Sequence, residues 1–414
     1  MNGSINWKRN LWAVWLSQYL SLAGFGMCGP FIPLFIKDSL GVTDDAMRGV
    51  FVSAFTFIGL TSLCLANIVW GMVADRYGRK LMLLRASFGT AFFYPLMAFS
   101  PNVYWLIAIR GMAALFTGTV NPAQTLLVST APPERHGYVL GVLSTAVWSG
   151  NMTGYLLGGV VVELWGYTAA FLSCSFLYFI SGLLIQFVVQ EDFHPPQKNK
   201  AGGAKPSLRK ELLAPGVIAV LVMFLLMGGG RRIDQPFVAM LVELIHGPQG
   251  AAYCTGVISA VSAVGGVVTG FCIGTLCDRY PPEKMLLPSV LLAGVAAVLQ
   301  GFAPNVWMLG AGRFLAYFVG GGLQPILLMM LSRLTPPEHK GTFFGWSASI
   351  NQAGGIVGSV VSGVIVYNLG VRAIFFAGAL ILAFMLIPGW CFIRPGGIST
   401  VKENKNNAAS NTQK

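Results

Sequence analysis

The segment GGGRRIDQPF, residues 228–237, places three ionisable side chains in a stretch that is otherwise apolar. Asp234 is the group that could gain and lose a proton there, whereas Arg231 and Arg232 stay protonated. The glycines and Pro236 interrupt the helical pattern, and interrupted helices are typical of ligand-binding sites in membrane proteins. The segment therefore predicts a site for a substrate or a proton. The alternative is a structural ion pair, either between Arg231 and Asp234 at i, i+3 or from Asp234 to another helix.

Two more arginines, Arg110 and Arg313, lie within apolar runs. A charge in such a run costs at least about 2.5 kcal/mol on membrane-insertion scales, so each arginine should face protein or water and have a partner. Both are candidates for substrate or proton binding, and a structural arginine bonded to carbonyls of a neighbouring helix is the alternative. Polar residues on similar segments complete the candidate set: Gln18, Asn121, Gln124, Gln235 and Gln324.

The elements that must position these residues are membrane helices. The 414 residues are 55% hydrophobic and 10% charged, with a mean hydropathy of +0.67. A soluble protein of ordinary composition carries about 25% charged residues. Apolar segments of about 20 residues, the length that crosses a bilayer, recur along the chain. The sequence therefore predicts an all-α membrane protein with twelve transmembrane helices, whose immediate surroundings are a lipid bilayer.

Polar and basic segments divide the chain. Residues 191–213 separate an N-terminal six-helix half, 1–190, from a C-terminal six-helix half, 214–394. Residues 395–414 form a polar cytoplasmic tail that we expect to be disordered. The net charge of +12 comes from Lys and Arg that fall mostly on one side of the alternating helices. The positive-inside rule then predicts cytoplasmic termini in a plasma-membrane protein, and this distribution argues against nucleic-acid binding.

Several classes of function lack their sequence patterns. The seven cysteines have no paired spacing, which argues against a disulfide framework and against a metal site. The glycines at 228–230 lack the Lys-Ser/Thr that a phosphate-binding loop needs, so neither an ATP-driven pump nor an enzyme is expected. We expect no catalytic residues and no cofactor. The first apolar run has no small-residue cleavage site, so we interpret it as a retained helix.

The two halves repeat each other. SPNVYWLIAIRGMAALFTG aligns with APNVWMLGAGRFLAYFVGG, so that Arg110 falls on Arg313. The same alignment superimposes Asp75 on Asp278, and APPERHG lies opposite TPPEHKG. Matching loop residues at nearly one offset are hard to obtain by chance. Two parallel six-helix repeats predict a transporter whose substrate site lies between the halves near the bilayer midplane.

This repeat, together with its charged turn, resembles the major facilitator superfamily over nearly the whole chain. The turn WGMVADRYGRK matches the superfamily's signature loop at six positions: Gly71, Asp75, Arg76, Gly78, Arg79 and Lys80. The second copy keeps Asp278 and Arg279 and then departs, with two prolines. INWKRNL and DRYGRKLMLLR are similar to the MdtG-type branch of multidrug:proton antiporters. The resemblance implies that these eight residues form a conformational latch between the halves, and a plain basic turn is the alternative.

The resemblance also assigns roles to two further features. An arginine at the position of Arg110 is part of the proton-coupling site in drug:proton antiporters, although Ala113 and Ala114 depart from that motif. SGNMTGYLLGG resembles the antiporter glycine motif with Tyr155 in place of its proline. Its glycines lie on one helix face and permit close helix packing, which alone would explain them: Gly150, Gly154, Gly158 and Gly159.

These observations predict a secondary transporter that exports small amphipathic compounds, drugs among them, by proton-coupled alternating access. Protons would enter through Asp234 with Arg110 as an electrostatic neighbour. One alternative is an organic-anion or phosphate-ester antiporter that uses the cavity arginines, since paired arginines bind phosphate and carboxylate well. A membrane scaffold or sensor without transport is a third possibility. We expect a monomer with a small-molecule substrate and H⁺ as the coupling ion.

Overall fold

The computed structural model describes residues 6–191, 214–279, 282–335 and 339–393. The predicted linker, apart from Glu191, and the predicted tail lie outside these residues. So do the side chains of three predicted latch residues, Asp75, Asp278 and Arg279. Within the described ranges every regular element is a helix, which confirms the predicted all-α class.

The described residues form sixteen α-helices and three short 3₁₀ helices. The α-helices are α1 Trp7–Cys28, α2 Ile32–Asp38, α3 Asp45–Tyr77, α4 Arg79–Ala98, α5 Val103–Phe116, α6 Val120–Thr130, α7 His136–Val188, α8 Pro215–Arg232, α9 Val238–His246, α10 Ala251–Arg279, α11 Pro282–Gly301, α12 Val306–Gly320, α13 Leu323–Leu334, α14 Lys340–Leu369, α15 Val371–Phe384 and α16 Leu386–Ile393. The 3₁₀ helices are Gly29–Phe31, Pro133–Arg135 and Gln235–Phe237.

Eleven helical segments in the described ranges are long and apolar enough to cross a membrane. One of them is the 53-residue helix α7, which Gly166 interrupts with φ 80° and ψ 176°. Glycine adopts this conformation without steric cost because it has no Cβ. The interruption divides α7 into two spans, so the described ranges hold the twelve spans that the sequence predicts.

Equivalent residues start equivalent helices in the two halves. The Asn102 side chain accepts a hydrogen bond from the Trp105 amide at 3.0 Å, at the beginning of α5. The Asn305 side chain accepts one from the Met308 amide at 2.9 Å, at the beginning of α12. Each asparagine satisfies an amide that has no partner within its helix. The Pro-Asn match of the repeat therefore marks the same helix cap twice, and it fixes the register of the helices that carry Arg110 and Arg313.

Four of the interrupted spans form two equivalent pairs. The 3₁₀ helix Gly29–Phe31 separates α1 from α2, and Gln235–Phe237 separates α8 from α9. The connections α5–α6 and α12–α13 interrupt the other two spans. Pro30 and Pro236 lie inside the 3₁₀ helices, where proline lacks the amide hydrogen that a continuous helix requires. Such interruptions leave irregular backbone within a span, where it can contribute to a binding site.

The first pair of interruptions extends the repeat. Aligning Pro30 with Pro236 also superimposes Cys28 on Asp234 and Lys37 on Glu243. Gly41 then falls on Gly247, and both glycines have positive φ, 72° and 93°. We name the end of the bundle that holds Gly41 and Gly247 the far end, and the end where α1 begins the N-terminal end.

Glycines allow the spans of the first half to approach closely. A Cβ added at Gly150 would lie 2.6 Å from the Tyr19 carbonyl oxygen, and one added at Gly154 would lie 2.2 Å from that of Ala23. Gly158 makes a similar approach to α1. Real Cβ atoms do not come this close to other atoms, so a side chain at any of these positions would push α1 away from α7.

The two halves contact each other towards the far end. A Cβ added at Gly159 of α7 would lie 3.0 Å from the Ala252 carbonyl oxygen of α10. On the other side of the bundle the Ser53 and Ser362 hydroxyl oxygens are 3.2 Å apart, between α3 and α14. These small residues bring backbones from opposite halves together, which closes the far end of the bundle.

Candidate substrate cavity

A cavity of about 440 Å³ lies between the two halves, below their contacts at the far end. Its volume is typical of sites for drug-sized ligands. Aromatic rings supply much of the wall: Phe25, Phe55, Tyr94, Trp148, Phe171 and Tyr317. Polar side chains from both halves complete the wall: Thr56, Arg110, Asn151, Arg232, Gln235, Ser259, Ser262 and Arg313. An apolar wall with a few convergent polar groups suits an amphipathic ligand.

Asp234 forms an ion pair with Arg313. The distance from the Arg313 Nη1 to the Asp234 Oδ2 is 2.5 Å, and the side chains are only 4% and 13% exposed, respectively. Asp234 follows α8 at the helix interruption, and Arg313 lies in α12, so the pair joins two interrupted spans. Of the two predicted alternatives, the pair to another helix is therefore present and the local pair with Arg231 is not. Arg110, the predicted electrostatic neighbour of Asp234, does not form an ion pair with it.

Arg313 has further polar neighbours. Its Nη1 also donates to the Gln300 Oε1 at 3.3 Å, and its Nη2 reaches the Tyr317 hydroxyl at 3.5 Å. Tyr317 lies one turn along the same helix, and its ring is 5.1 Å from the Arg313 guanidinium carbon. These contacts fix the direction of the guanidinium, since a planar group with several donors is held by more than one acceptor.

Arg110 has no carboxylate within ion-pair distance in the described chain. Its guanidinium carbon lies 5.1 Å from the centre of the Phe55 ring, and its Nε has no hydrogen-bond partner. It is close enough to the Tyr94 hydroxyl for a polar interaction. The guanidinium occupies the space above Gly59, where an added Cβ would lie 2.6 Å from Nε. The predicted partner of this partly buried cation is therefore not a described acidic residue.

The neighbouring arginines of the seventh span diverge. Arg232 lies in the cavity wall, where its Nη1 donates to the Gln352 Oε1 at 2.8 Å. Arg231 is not in the wall; it lies beside Gly320, whose added Cβ would be 3.5 Å from the Arg231 Nε. Successive residues of a helix point about 100° apart, so both could not face the cavity.

Four predicted polar residues lie outside the cavity wall, and only Gln235 of that set lies in it. Gln18 is fully buried within the first half and accepts a hydrogen bond from the Thr119 hydroxyl at 3.0 Å. The remaining three are exposed and follow the interruptions in their spans, towards the N-terminal end: Asn121, Gln124 and Gln324. The interruptions change the direction of these spans, which a register argument does not anticipate.

An ion network closes the cavity at the far end. Glu243 of the second half receives the Lys37 ammonium and, at 2.6 Å, the Arg48 Nη1, both from the first half. Arg48 also contacts Asp45 at 2.6 Å. Glu243 is only 8% exposed and Arg48 3%, so this is a largely desolvated link between the halves. Sequence reasoning did not find it, although the superposition of Lys37 on Glu243 was a signal that could have done so.

The signature turn is held within the first half. Gly78 has a φ of 95°, and the amides of Arg79 and Lys80 donate to the two carboxylate oxygens of Glu191 at 2.9 and 2.7 Å. Lys80 also donates to the Gln186 carbonyl oxygen. In the described part of the chain nothing lies within 4 Å of a Cβ placed at Gly71, so this glycine does not mark a close helix approach. The latch between halves stays a prediction.

Arg76 packs against its neighbour in the same turn, with its guanidinium carbon 5.4 Å from the Tyr77 ring centre. Glu191 is the residue that sequence reasoning missed here, because it was assigned to the linker. An acidic side chain just after the sixth span could have suggested the role, since carboxylates bind the amides at helix N-termini.

Comparison with known proteins agrees with this architecture. A family model described as Major Facilitator Superfamily matches residues 14–265 and 236–412. The multidrug resistance protein MdtG of Proteus mirabilis is 29% identical over 393 residues, covering 94% of this chain and 97% of that protein. A multi-drug resistance efflux pump PmrA homolog of Lactococcus lactis is 29% identical over 391 residues, covering 94% and 96%. The crystal structure of the nucleoside transporter NupG has a TM-score of 0.75 at 12% identity, covering 93% of this chain and 100% of that one.

Proposed function

Because the chain belongs to the Major Facilitator Superfamily and is a membrane transporter rather than an enzyme, we propose that it exports small amphipathic compounds in exchange for protons by alternating access. Relatives that align along nearly the whole chain are named as multidrug resistance proteins and efflux pumps. The aromatic and aliphatic residues of the cavity wall support this class of cargo, since such walls accept many apolar shapes. The protein acts as a monomer in the plasma membrane, with both termini in the cytoplasm.

The Asp234–Arg313 pair is the observation that carries the proposal of proton coupling. It is the ion pair that lies beside the cavity and bridges two interrupted spans. A proton on Asp234 removes the charge that holds Arg313, so the contact between these spans weakens. Proton binding then favours a different arrangement of the spans, which is how a ligand shifts a conformational equilibrium.

The closed far end supports a direction for cargo entry. Lys37 and Arg48 of the first half are bonded to Glu243 of the second, above the cavity. With the N-terminal end in the cytoplasm, as the positive-inside rule predicts, cargo enters from the cell interior in this arrangement. Export then requires that the far end open while the halves approach at the N-terminal end.

Replacement of Asp234 tests the proton coupling. In liposomes, Asp234→Asn should abolish accumulation driven by a proton gradient and retain passive exchange of substrate, because the amide cannot carry a proton across. Asp234→Glu is the matched variant, since it restores a titratable group, and it should recover part of the accumulation. If the Asn variant still concentrates substrate, Asp234 is a structural partner of Arg313, and Glu163 and Glu243 become the next residues to replace.

One observation favours the second candidate, an organic-anion or phosphate-ester antiporter. Two cations of the cavity wall, Arg110 from the first half and Arg232 from the second, make no ion pair with a carboxylate in the described ranges. The liposome flux assay distinguishes this candidate from a proton-coupled exporter. An anion antiporter would continue to exchange one anion for another in Asp234→Asn without a proton gradient.

A further inference from the structure

The two halves place an arginine at the same point of the repeat, but its surroundings differ. Arg110 of α5 and Arg313 of α12 follow matching asparagine caps, Asn102 and Asn305. In the second half the residue before the 3₁₀ helix is Asp234, and it neutralises Arg313 at 2.5 Å. The repeat therefore identifies one residue of the first half as the position where a carboxylate for Arg110 would be expected.

That position holds Cys28. Its neutral thiol stands where the second half has the Asp234 carboxylate. Cys28 and Arg110 both lie in the cavity wall, and both are near enough to Tyr94 to interact with it electrostatically. The Cys28 thiol donates to the Ala170 carbonyl oxygen at 3.3 Å. Within the described residues Arg110 has no carboxylate within ion-pair distance, in contrast to Arg313, and the Nε atoms of both arginines lack a hydrogen-bond partner. A cation held inside a membrane protein without a counter-charge is costly.

We propose that the cargo supplies the missing carboxylate: Arg110 and the space beside Cys28 bind the acidic group of an amphipathic organic anion. The inference rests on the proposed transport function and adds the chemical class of the cargo. A carboxylate or phosphonate fits the guanidinium fork with two parallel hydrogen bonds. The Tyr94 hydroxyl is a further donor, and the rings of Phe25 and Phe55 in the same wall contact the apolar body.

Charge on the opposite wall adds to this preference. Among the residues that the structure describes, the polar partner of Arg232 is the neutral Gln352 side chain, whereas the charge of Arg313 is already balanced. An anion in the cavity is therefore attracted from both halves, and a cation of the same shape is repelled. Charge-assisted bonds at a desolvated site correspond to about a tenfold or larger difference in Kd between an acid and its neutral amide.

Binding of three matched probes to the purified full-length protein tests the proposal. The probes are naphthylacetate, naphthylacetamide and naphthylethylamine, which share one ring system and differ in charge. The wild-type protein should bind the acetate about tenfold more tightly than the amide and the amine least. Arg110→Gln should remove the preference for the acetate. Cys28→Asp should remove it as well, because the new carboxylate neutralises Arg110 as Asp234 neutralises Arg313.

Two control variants separate this effect from general damage. Cys28→Asn has nearly the size of Cys28→Asp but no charge, and it should keep the preference. Arg372→Gln removes an arginine at the far end, outside the cavity wall, that donates to the Gly301 carbonyl oxygen, and this variant should also keep the preference for the acetate. If Cys28→Asp does not fold, the proposal is tested by comparing the preference for the acetate in Arg110→Gln with that in Arg372→Gln.

The proposal is overturned if the wild-type protein binds the acetate and the amide equally, or if the preference survives in Arg110→Gln or in a folded Cys28→Asp. Its failure is distinguishable from that of proton coupling because the binding assay uses no gradient. Lost accumulation with an intact acid preference counts against the coupling alone. Intact accumulation without an acid preference counts against the anion site alone.

Discussion

Replacing Glu243 with glutamine should open the far end of the bundle. Glu243 binds Lys37 and Arg48 of the other half, and its side chain is 8% exposed, against 28% for Lys37 and 3% for Arg48. Glutamine keeps the shape but removes the charge, so two cations remain close together without their shared counter-charge. The arrangement that is closed at the far end is thereby destabilised relative to the open one.

The size of the shift follows from the burial of the network. Removing one partner of a fully buried ion pair costs roughly 3–5 kcal/mol. Lys37 is partly exposed and Arg48 retains Asp45, so we expect about 2 kcal/mol here, which changes the ratio of open to closed molecules by about thirtyfold. A shift of that size makes a state populated at about 1% readily detectable.

Distance measurement between spin labels provides the assay. Labels at Ser39→Cys and Gln249→Cys, in exposed turns of opposite halves at the far end, report its opening in a background without the seven native cysteines. Glu243→Gln should increase the long-distance population. Asp45→Asn is the matched control, because Asp45 is 68% exposed and pairs with Arg48 of its own half. Equal distance distributions in both variants and in the parent would refute the reasoning that this network holds the far end closed.

Two further predictions concern the packing of the first half. Gly154→Ala should lower the stability by about 1–3 kcal/mol in thermal unfolding, because the new Cβ would lie 2.2 Å from the Ala23 carbonyl oxygen. Gly141→Ala is the control and should not lower the stability, since nothing lies within 4 Å of its new Cβ. Equal losses of stability in the two variants would contradict this explanation. Glu191→Ala should cost about 1 kcal/mol and speed hydrogen exchange at the first two amides of α4, which lose their acceptor. Unchanged exchange at these amides would show that water replaces the carboxylate.

Helices, spans and the internal repeat follow directly from the sequence. Membrane-length apolar segments are determined by bilayer thickness, and the Pro-Asn pairs act through contacts only three residues apart. Even the helix interruptions have a local cause, since Pro30 and Pro236 remove amide donors. These features depend on neighbours along the chain, so no tertiary information is needed to find them.

The partner of Asp234 depends on how helices rotate against each other. Sequence spacing favours Arg231, but Arg313 of another span is the partner, since a helix can turn an i, i+3 neighbour away from the site. The same limit applies to Asn121, Gln124 and Gln324. The position of these three residues along their spans was predictable from the sequence. The interruptions that precede them place them away from the cavity wall. Charges within apolar runs identified Arg110, Arg232 and Arg313 as residues of the cavity wall, and the repeat related Arg110 to Arg313.

A pseudo-twofold axis relates the two halves of the repeat. The effect of a substitution in one half depends on how close the substituted residue lies to this axis. Near the axis, equivalent residues of two halves face each other, as identical residues do in a symmetric dimer interface. Lys37 and Glu243 are such a pair, and two lysines there would repel, so a change of one to an acid creates a bond between the halves. Away from the axis, Cys28 and Asp234 do not meet, and a change in one creates two different sites instead. One arginine, Arg313, then has an acidic partner that can take a proton, and its repeat mate Arg110 is the proposed binding group for a cargo anion.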